Sequence, residues 1–295
     1  MNALKLHEIP GRVTVSSGNG GLPVVRVRSD FSTAEIYPHG AHVTGFQKHG
    51  DAPLLFMSAA SEFRADKPIR GGVPVIFPWF GSRENTVAHG FARLAEWDLV
   101  ATSVQPLGAI KLSFQLPTDE PYKVTFDVTV GSSLIMELGV HNTADTPFTF
   151  ETCLHTYFQI GDIRQLRVSG LQGTPYHDQL LDAELTETAD AIRFGAETDR
   201  TYQDTAATVA IIDPVLDRGI IVSKTGSKST VVWNPWIAKS QRMPDFGDDE
   251  YLRMVCVESG NVRENSVTLG PGEEAMLTVE VSSFPLTDPM GSRAG

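Results

Sequence analysis

Clusters of basic residues and long apolar runs are both missing from this sequence, and each absence excludes a class of function. The chain of 295 residues carries a formal net charge of −12 and has no group of Lys and Arg that could follow a phosphate backbone. We therefore expect no nucleic-acid partner. No stretch approaches the ~18 consecutive apolar residues of a membrane-spanning helix, and the N-terminal segment MNALKLHEIPGR lacks the apolar centre of a secretory signal. The sequence predicts a cytoplasmic protein that does not enter a membrane.

Cysteine and helical periodicity are also scarce. The two cysteines, Cys153 and Cys256, are too few for a disulfide scaffold and lack the CxxC spacing of a zinc site. We expect both to be free, buried thiols. No window longer than about ten residues has a helical pattern, although residues 58–63 could form a short capped turn.

What the sequence does contain is a succession of short runs that alternate in polarity or are rich in β-branched residues. Gly, Pro, Asp and Asn clusters, which are typical of turns, separate them. The runs lie at 24–28, 34–37, 124–130, 134–140, 207–212, 219–224, 229–234, 251–259 and 275–281. They predict an all-β protein built as one large antiparallel sandwich, since no linker or repeat divides the chain. We expect a single domain over residues 1–295 with a loose tail at about 287–295.

The segment 69-IRGGVPVIFPWFG-81 is too irregular for an ordinary buried strand, because it has an arginine as its second residue and contains glycines and prolines. We interpret it as the wall of a pocket. Arg70, Arg93 and Arg200 have the planar fork that matches phosphate oxygens, and the glycines beside Arg70 would also let backbone amides approach. Each arginine could instead form a surface ion pair, an interpretation that we favour for Arg200 beside Asp199.

Two further segments contain side chains suited to proton transfer. In ETCLHTYFQIGD, alternation places Cys153, His155 and Tyr157 on one face of a strand, where a lone histidine is more often a core residue than a catalyst. In YLRMVCVESG, Glu258 ends an otherwise apolar face. Its carboxylate is either exposed at the strand end or held at the rim of a cleft, where desolvation raises its pKa. An imidazole and a carboxylate without a metal or cofactor motif would suit proton shuttling on a neutral substrate.

Four aromatic side chains could stack on the C–H faces of a sugar, although they could equally belong to the core. They are Trp79, Phe80, Trp233 and Trp236. The pair His39 and His42 has no third ligand at a telling distance, and a strand would splay the two side chains, so we predict no metal site. The GNGG stretch at 18–21 lacks the strand and helix of a phosphate-binding loop, which predicts a turn.

Six motifs, in the same order along the chain, give the sequence a specific resemblance. They are 69-IRGGVPVIFPWFG-81, 89-HGFAR-93, 152-TCLHTYFQIGDI-163, 197-ETDRTY-202, 233-WNPWIAKSQRMPDFG-247 and 255-VCVESGNV-262. Together they resemble the hexose-6-phosphate mutarotases, or glucose-6-phosphate 1-epimerases, of the aldose 1-epimerase superfamily. The resemblance implies a galactose-mutarotase-like β-supersandwich, no cofactor, and interconversion of the α and β anomers of an aldohexose 6-phosphate, with glucose 6-phosphate as the expected substrate.

The resemblance also implies roles for individual residues. His155 matches the general acid and Glu258 the general base, so that Glu258 would take the O1 proton while His155 protonates the ring oxygen. This chemistry requires an ionised Glu258 and a charged His155. The positions expected to bind substrate are Arg70, Arg93, Asp199, His89, Trp79 and Trp233. Ala88 departs from relatives that have a substrate-contacting glutamine there, so one polar contact is expected to be missing or replaced by water.

Two other functions remain open at this point. The protein could be a mutarotase of free aldoses whose arginines are structural, or a sugar-phosphate-binding β-sandwich without turnover. A metal-dependent cupin-like enzyme is disfavoured, because the sequence has no His-x-His cluster. We expect a monomer whose partner is a small sugar phosphate, with neither a cofactor nor a metal.

Overall fold

The computed structural model describes residues 1–286, and the tail predicted to be loose, 287–295, lies outside the described residues. Short strands, β1 to β23, make up most of the regular secondary structure. In order they are Val13–Ser17, Pro23–Arg28, Ser32–Tyr37, His42–Lys48, Val75–Ile76, Asp98–Val104, Ile110–Gln115, Tyr122–Val130, Leu134–Asn142, Phe148–Phe150, Thr152–Leu154, Tyr157–Gln159, Arg167–Ser169, Pro175–Asp178, Ala183–Thr186, Ala191–Ile192, Thr198–Tyr202, Val209–Asp213, Arg218–Thr225, Ser229–Asn234, Met254–Asn261, Val267–Leu269 and Glu274–Pro285. Their ladders are antiparallel. The all-β antiparallel fold predicted from the sequence is confirmed.

Helices are short throughout the described chain. The α-helices are Asn2–Lys5 (α1) and Trp236–Ser240 (α2), and the 3-10 helices are Asn19–Gly21, Ala92–Leu94, Pro106–Gly108, Glu250–Arg253 and Arg263–Asn265. The capped turn predicted at 58–63 is present, because the Oγ of Ser58 accepts a hydrogen bond from the amide of Ala60 at 3.1 Å. None of the helices within residues 1–286 has the length and apolarity that a membrane span requires.

Three sheets share one hydrophobic core. A four-stranded sheet has the order β1-β2-β3-β4, and a nine-stranded sheet has the order β16-β13-β18-β19-β23-β9-β8-β7-β6. The eight-stranded sheet has the order β15-β14-β17-β20-β21-β11-β5, with β12 also paired to β21. Buried side chains from all three sheets, for example Val15, Phe126 and Val257, belong to one continuous cluster. Because the sheets bury their apolar faces together, we retain a single domain as our proposal for the chain.

Strand β8 illustrates why the alternating runs produce these sheets. Between Tyr122 and Val130 the buried side chains are separated by exposed or half-buried ones. Val124, Phe126 and Val128 are fully buried, while the polar residues between them point to the other face. Side chains two residues apart share a face of a strand, so this pattern commits one face to the core.

The strand predicted at 251–259 is shifted in the structure. Residues Glu250–Arg253 form a 3-10 helix, and β21 runs from Met254 to Asn261. The side-chain amide of Asn234 donates to the carbonyls of Tyr251 at 2.8 Å and of Met254 at 2.9 Å, which fixes the turn before the strand. The extended strand predicted for residues 251–253 is therefore wrong, and the true strand continues beyond Glu258.

Candidate active site

The candidate site is built on one face of the eight-stranded sheet. Asp199 in β17 pairs with Trp233 in β20, which pairs with Cys256 in β21, which in turn pairs with Tyr157 in β12. Directly paired residues in antiparallel strands project from the same face, and so do residues two apart on one strand. Glu258 lies two residues beyond Cys256, so the pairing carries its carboxylate to the same face as Asp199 and Trp233.

His155 and Glu258 lie side by side on this face. Nδ1 of His155 is 3.3 Å from Oε1 of Glu258, and their side chains are only 10% and 1% exposed. The imidazole stacks on the ring of Tyr157, with the centroids 4.8 Å apart and the planes 8° apart. The prediction that Cys153, His155 and Tyr157 share a face agrees with this stacking and with the thiol of Cys153, which donates to Oε2 of Glu258 at 3.6 Å.

Burial shifts the pKa values of His155 and Glu258 in the directions that favour the neutral form of each group. Burial raises the pKa of Glu258 well above its ordinary value, and the charge of Asp199 adds to the shift, while the hydrogen bond from Cys153 opposes it. Burial likewise lowers the pKa of His155 well below its ordinary value, with His89 as the next cause.

The sequence left two positions open for the carboxylate of Glu258. Exposure at the strand end is wrong, because β21 continues to Asn261 and the carboxylate is buried.

His89 is the second imidazole of the site. Its backbone has a left-handed φ of 61°, and its ring lies against Phe80 and 5.7 Å from the ring of His155. The amide of Gly81 donates to Nδ1 of His89 at 3.3 Å, which leaves Nε2 as the nitrogen that carries the proton. Burial, together with the charges of Arg93 and Arg70, lowers the pKa of His89 to about 3. His89 is thus a neutral hydrogen-bond donor at neutral pH.

Arg70 is already held by partners within the protein. Its guanidinium contacts Oδ2 of Asp245 at 3.1 Å through Nε and at 3.0 Å through Nη2, and its Nη1 donates to the hydroxyl of Tyr157 at 2.9 Å. Burial by itself would lower the pKa of Arg70, but Tyr157 and Asp245 outweigh it and hold the pKa above its ordinary value. The guanidinium is fixed and charged.

The glycines beside Arg70 have a different role from the one predicted. Gly71 and Gly72 have φ values of 113° and 58°, and a Cβ on Gly72 would lie 2.3 Å from the carbonyl oxygen of Val43. The amide of Gly72 donates to the carbonyl of Phe56 at 2.7 Å. These glycines allow neighbouring backbone segments to approach each other, so the Gly72 amide is not free for a bound anion.

Arg93 contrasts with Arg70, because it has no carboxylate partner among residues 1–286. Its Nη2 donates to the carbonyl of Ala88 at 2.7 Å, and its Nε is buried without a hydrogen-bond partner. Burial lowers the pKa of Arg93 to about 10, with Tyr157 opposing the shift and Arg70 adding to it. Of the two arginines Arg70 and Arg93, Arg93 is therefore the one that forms no ion pair among residues 1–286, although the charge of Asp245 also acts on it.

A cavity of about 590 Å³ opens above the histidine–glutamate pair. Six of the eight residues predicted to be catalytic or to bind substrate line it, namely Arg70, His89, His155, Asp199, Trp233 and Glu258. Trp79 and Arg93 are not among its lining residues. The indole of Trp79 instead donates to the carbonyl of Val87 at 3.0 Å, and Phe80 supplies the aromatic wall beside it.

Two aromatic and cationic candidates lie elsewhere. Trp236 packs against Tyr251, with ring centroids 5.2 Å apart, and does not line the cavity. Arg200 forms ion pairs with Glu187 at 3.0 Å and Asp178 at 3.6 Å, so the structural interpretation of Arg200 agrees with the structure.

Sequence reasoning missed several residues of the cavity. Lys239, in α2, lines it and lies 3.5 Å from Asp199, 3.2 Å from Glu197 and over the ring of Trp233. Glu151 accepts hydrogen bonds from the amides of Phe80 and Arg263 and so ties together loops of the wall. Lys239 lies within the motif at 233–247 and Glu151 directly precedes the motif at 152–163, but no pattern in the sequence marks either side chain as part of a site.

These features suit acid–base chemistry on a small polar molecule, and comparison with known proteins identifies the family of the chain. The family model for aldose 1-epimerases matches residues 23–282. The chain belongs to the aldose 1-epimerase family and is an isomerase.

Individual relatives agree with this assignment. The chain is 39% identical over 271 residues to a protein provisionally named glucose-6-phosphate 1-epimerase from Cenchrus ciliaris, covering 85% of this chain and 82% of that protein. The crystal structure of a provisionally named mutarotase from Salmonella typhimurium is 28% identical, with a TM-score of 0.87 over 95% of this chain and 96% of that one. A galactose mutarotase-like protein from Clostridium acetobutylicum has a TM-score of 0.67 at 12% identity, covering 92% of this chain and 98% of that one. The last comparison concerns the fold alone, and the galactose-mutarotase-like fold predicted from the sequence is confirmed.

Proposed function

We propose that the protein interconverts the α and β anomers of an aldohexose 6-phosphate, with glucose 6-phosphate as its preferred substrate, by cofactor-independent general acid–base catalysis. The observation that carries the proposal is the contact of 3.3 Å between His155 and Glu258 in a cavity that Arg70 also lines. The name of the relative from Cenchrus ciliaris supports the same substrate.

In this proposal the ring opens and closes by two coupled proton transfers. Glu258 takes the proton from the O1 hydroxyl while His155 gives a proton to the ring oxygen, and the C1–O5 bond breaks to give the open-chain aldehyde. Rotation about C1–C2 presents the other face of the carbonyl. Reclosure with the two roles reversed forms the opposite anomer and restores the enzyme.

The protonation state of the free site differs from the ionised pair expected from the sequence. The directions of both pKa shifts favour a protonated Glu258 and a neutral His155. That state differs from an ionised pair only by the transfer of one proton across the 3.3 Å contact. We expect two groups this close to titrate as a coupled pair, and Nδ1 of His155 has no hydrogen-bond partner in the free site. We propose that substrate binding aligns the two groups and completes this transfer, since catalytic hydrogen bonds are often poorly aligned without substrate.

The arginines favour a substrate that carries a dianion at one end. Arg93 has a buried Nε without a partner and forms no ion pair among the described residues, and its proximity to Arg70 adds to the lowering of its pKa. A phosphate bound between them would relieve both effects, because charge-assisted hydrogen bonds to guanidinium are stronger than neutral ones. Arg70 would then share its guanidinium between Asp245 and the phosphate.

The remaining predicted residues suit the neutral part of a sugar. Asp199 and Lys239 offer an acceptor and a donor for hydroxyl groups, and Trp233 offers a flat apolar face. His89 would donate its Nε2 proton to a substrate oxygen. Trp79, outside the lining, would act only by supporting the loop that contains Val87.

Anomer exchange followed by NMR at equilibrium tests this function. We expect exchange of glucose 6-phosphate well above the uncatalysed rate and much slower exchange of free glucose at the same concentration. Equal rates on the two sugars would favour the mutarotase of free aldoses, for which the existing partners of Arg70 are the supporting observation. Binding of the sugar phosphate without any exchange would instead favour a β-sandwich that has lost turnover.

We also propose a cytoplasmic location and a monomeric state. Both cysteines are free and buried, which suits a reducing compartment, and sugar phosphates are intracellular metabolites in this proposal. Cell fractionation and light scattering of the purified protein test the two statements. Recovery outside the cytoplasm or a stable dimer would contradict them.

A further inference from the structure

A third potential metal ligand lies beside the proposed catalytic pair. The donor atoms of His155, Cys256 and Glu258 lie within 4.8 Å of one another, and all three side chains are buried. Cys256 and Glu258 are two residues apart on β21, and His155 belongs to the segment between β11 and β12 that crosses the same strand. The fold therefore brings an imidazole nitrogen, a thiol and a carboxylate to one point.

This donor set has the chemistry and nearly the spacing of a zinc site. Zn²⁺ binds sulfur at about 2.3 Å and nitrogen or oxygen at about 2.0–2.2 Å, so tetrahedral ligand atoms lie roughly 3.3–3.8 Å apart. The 3.3 Å separation of Nδ1 of His155 and Oε1 of Glu258 already falls in this range. Because the three donors lie within 4.8 Å of one another, side-chain movements of about half an ångström to one ångström would close the set around an ion.

Two observations indicate that the point is open to a ligand. Nδ1 of His155 is buried without a hydrogen-bond partner, so this nitrogen has an unused bonding position. His155 and Glu258 both line the cavity of about 590 Å³, which offers an entry path and room for water as the fourth ligand.

We propose that His155, Cys256 and Glu258 form an inhibitory site for a borderline-soft divalent cation such as Zn²⁺. The ion binds as an adduct of the imidazole, the thiolate and the carboxylate, and the protons of the thiol and the carboxyl group pass to solvent. Mg²⁺ and Ca²⁺ do not compete, because they prefer six or more oxygen ligands. The ion occupies the proposed acid and base together, so anomer exchange stops while it is bound.

Binding is tested with Co²⁺, which takes the place of Zn²⁺ and reports a bound thiolate by an intense charge-transfer absorption. We expect this absorption in the parent protein, its loss in Cys256→Ala, and its displacement by one equivalent of Zn²⁺. Cys153→Ala is the matched control, because it removes the other buried thiol and should keep the absorption. Absence of the absorption from the parent, or its loss in Cys153→Ala and retention in Cys256→Ala, would overturn the site.

Inhibition is tested on the same proteins by anomer exchange with glucose 6-phosphate. Removing a residue that only hydrogen-bonds to a metal ligand already lowers metal affinity about 10–100-fold. Removing the ligand Cys256 itself should therefore raise the Zn²⁺ concentration for half-inhibition by roughly a hundredfold or more. A chelator should restore the parent, and Cys256→Ser keeps the test usable if the alanine variant does not fold. Equal inhibition of the parent and both Cys256 variants would refute the proposal.

The inhibition rests on the proposed function, but the binding does not. A parent that shows no exchange in the presence of a chelator would contradict the function and leave the Co²⁺ absorption to decide the metal site. A parent that exchanges anomers and gives no Co²⁺ absorption would contradict only the metal site.

Discussion

Two cavities of similar size show what marks the candidate site. The cavity of the candidate site has a volume of about 590 Å³, and a second cavity of about 540 Å³, here called the outer groove, lies on the four-stranded sheet. The outer groove is lined by Gly11, Arg12, Thr14, Arg26, Val27, Arg28, Thr33, Ala34, Glu35, Gly45, Gln47 and Pro53. Volume alone therefore does not distinguish the candidate site from the outer groove.

The two cavities differ in the state of their charged groups. In the outer groove Arg12 pairs with Asp30 at 2.5 Å and Arg26 pairs with Glu35 at 2.6 Å, all with a third or more of the side chain exposed. Exposed pairs of this kind contribute little to stability. In the cavity of the candidate site Glu258 is buried beside the neutral imidazole of His155, and burial raises the pKa of Glu258. Buried titratable groups that converge on one space, and not the size of the space, identify the candidate site.

The largest expected contrast is between the glutamates of the two cavities. Glu258→Gln keeps the size of the side chain but cannot accept the O1 proton, so we expect anomer exchange to fall by about a hundredfold to ten-thousandfold. Glu35→Gln in the outer groove should leave exchange unchanged. NMR exchange rates and thermal unfolding of both variants provide the measurement. Exchange at nearly the parental rate in folded Glu258→Gln would remove Glu258 from the role of base.

His155→Asn is expected to have the next largest effect. The imidazole acts mainly as charge develops on the ring oxygen, so kcat should fall strongly while KM changes little. His49→Asn, at an exposed histidine, is the matched control. Retained turnover in His155→Asn would transfer the role of acid to another group, and His89 and Tyr157 are the neighbours to test.

The sheets were predictable because alternation is a local property of the sequence. The runs at 124–130 and 134–140 lie within β8 and β9, where one face is buried along the whole strand. Strand β6 was missed because most of its side chains from Asp98 to Val104 are exposed and show no apolar face. The turn at 250–253 was missed because it depends on Asn234, which belongs to a different strand.

The site was predictable only in part, because many of its contacts join residues that are far apart in the chain. His155, Glu258 and Arg70 stand in motifs that a sequence can carry, but Asp245 reaches Arg70 across 175 residues of chain. Burial of the pair, the position of Lys239 and the lack of an ion pair at Arg93 among residues 1–286 all depend on how distant segments pack. No local pattern contains that information.

Arg70, which lines the cavity, and Arg93, which does not, allow a finer comparison. Arg93→Ala should raise KM for glucose 6-phosphate and reduce kcat/KM by roughly tenfold to a hundredfold, while any activity on free glucose stays nearly unchanged. Since Arg93 has no ion pair to lose among residues 1–286, thermal stability should change little. Arg93→Lys should recover only part of the loss, because an ammonium group lacks the bidentate fork.

Arg70→Ala should differ from Arg93→Ala in stability. It leaves Asp245 and the hydroxyl of Tyr157 without their partner. Each group left unpaired should lower the free energy of unfolding by about 1–3 kcal/mol. Arg12→Ala in the outer groove is the control for removing an arginine. Equal loss of activity on phosphorylated and free sugars in both Arg70→Ala and Arg93→Ala would show that the arginines are structural and would remove the phosphate from the proposed substrate.

The smallest effect concerns the thiol that donates to Glu258. The hydrogen bond from Cys153 to Oε2 of Glu258 opposes the rise in the pKa of that carboxyl group, so Cys153→Ala should raise the pKa further. The base must be ionised, and the acidic limb of the kcat/KM profile should therefore move to higher pH. The variant should be slower by a few-fold at acidic pH, as befits a bond of about 1 kcal/mol, and should approach the parent as pH rises. Cys153→Ser restores a donor and should move the limb back. A loss of the same size at every pH, not corrected by serine, would mean that Cys153 only fills space in the core.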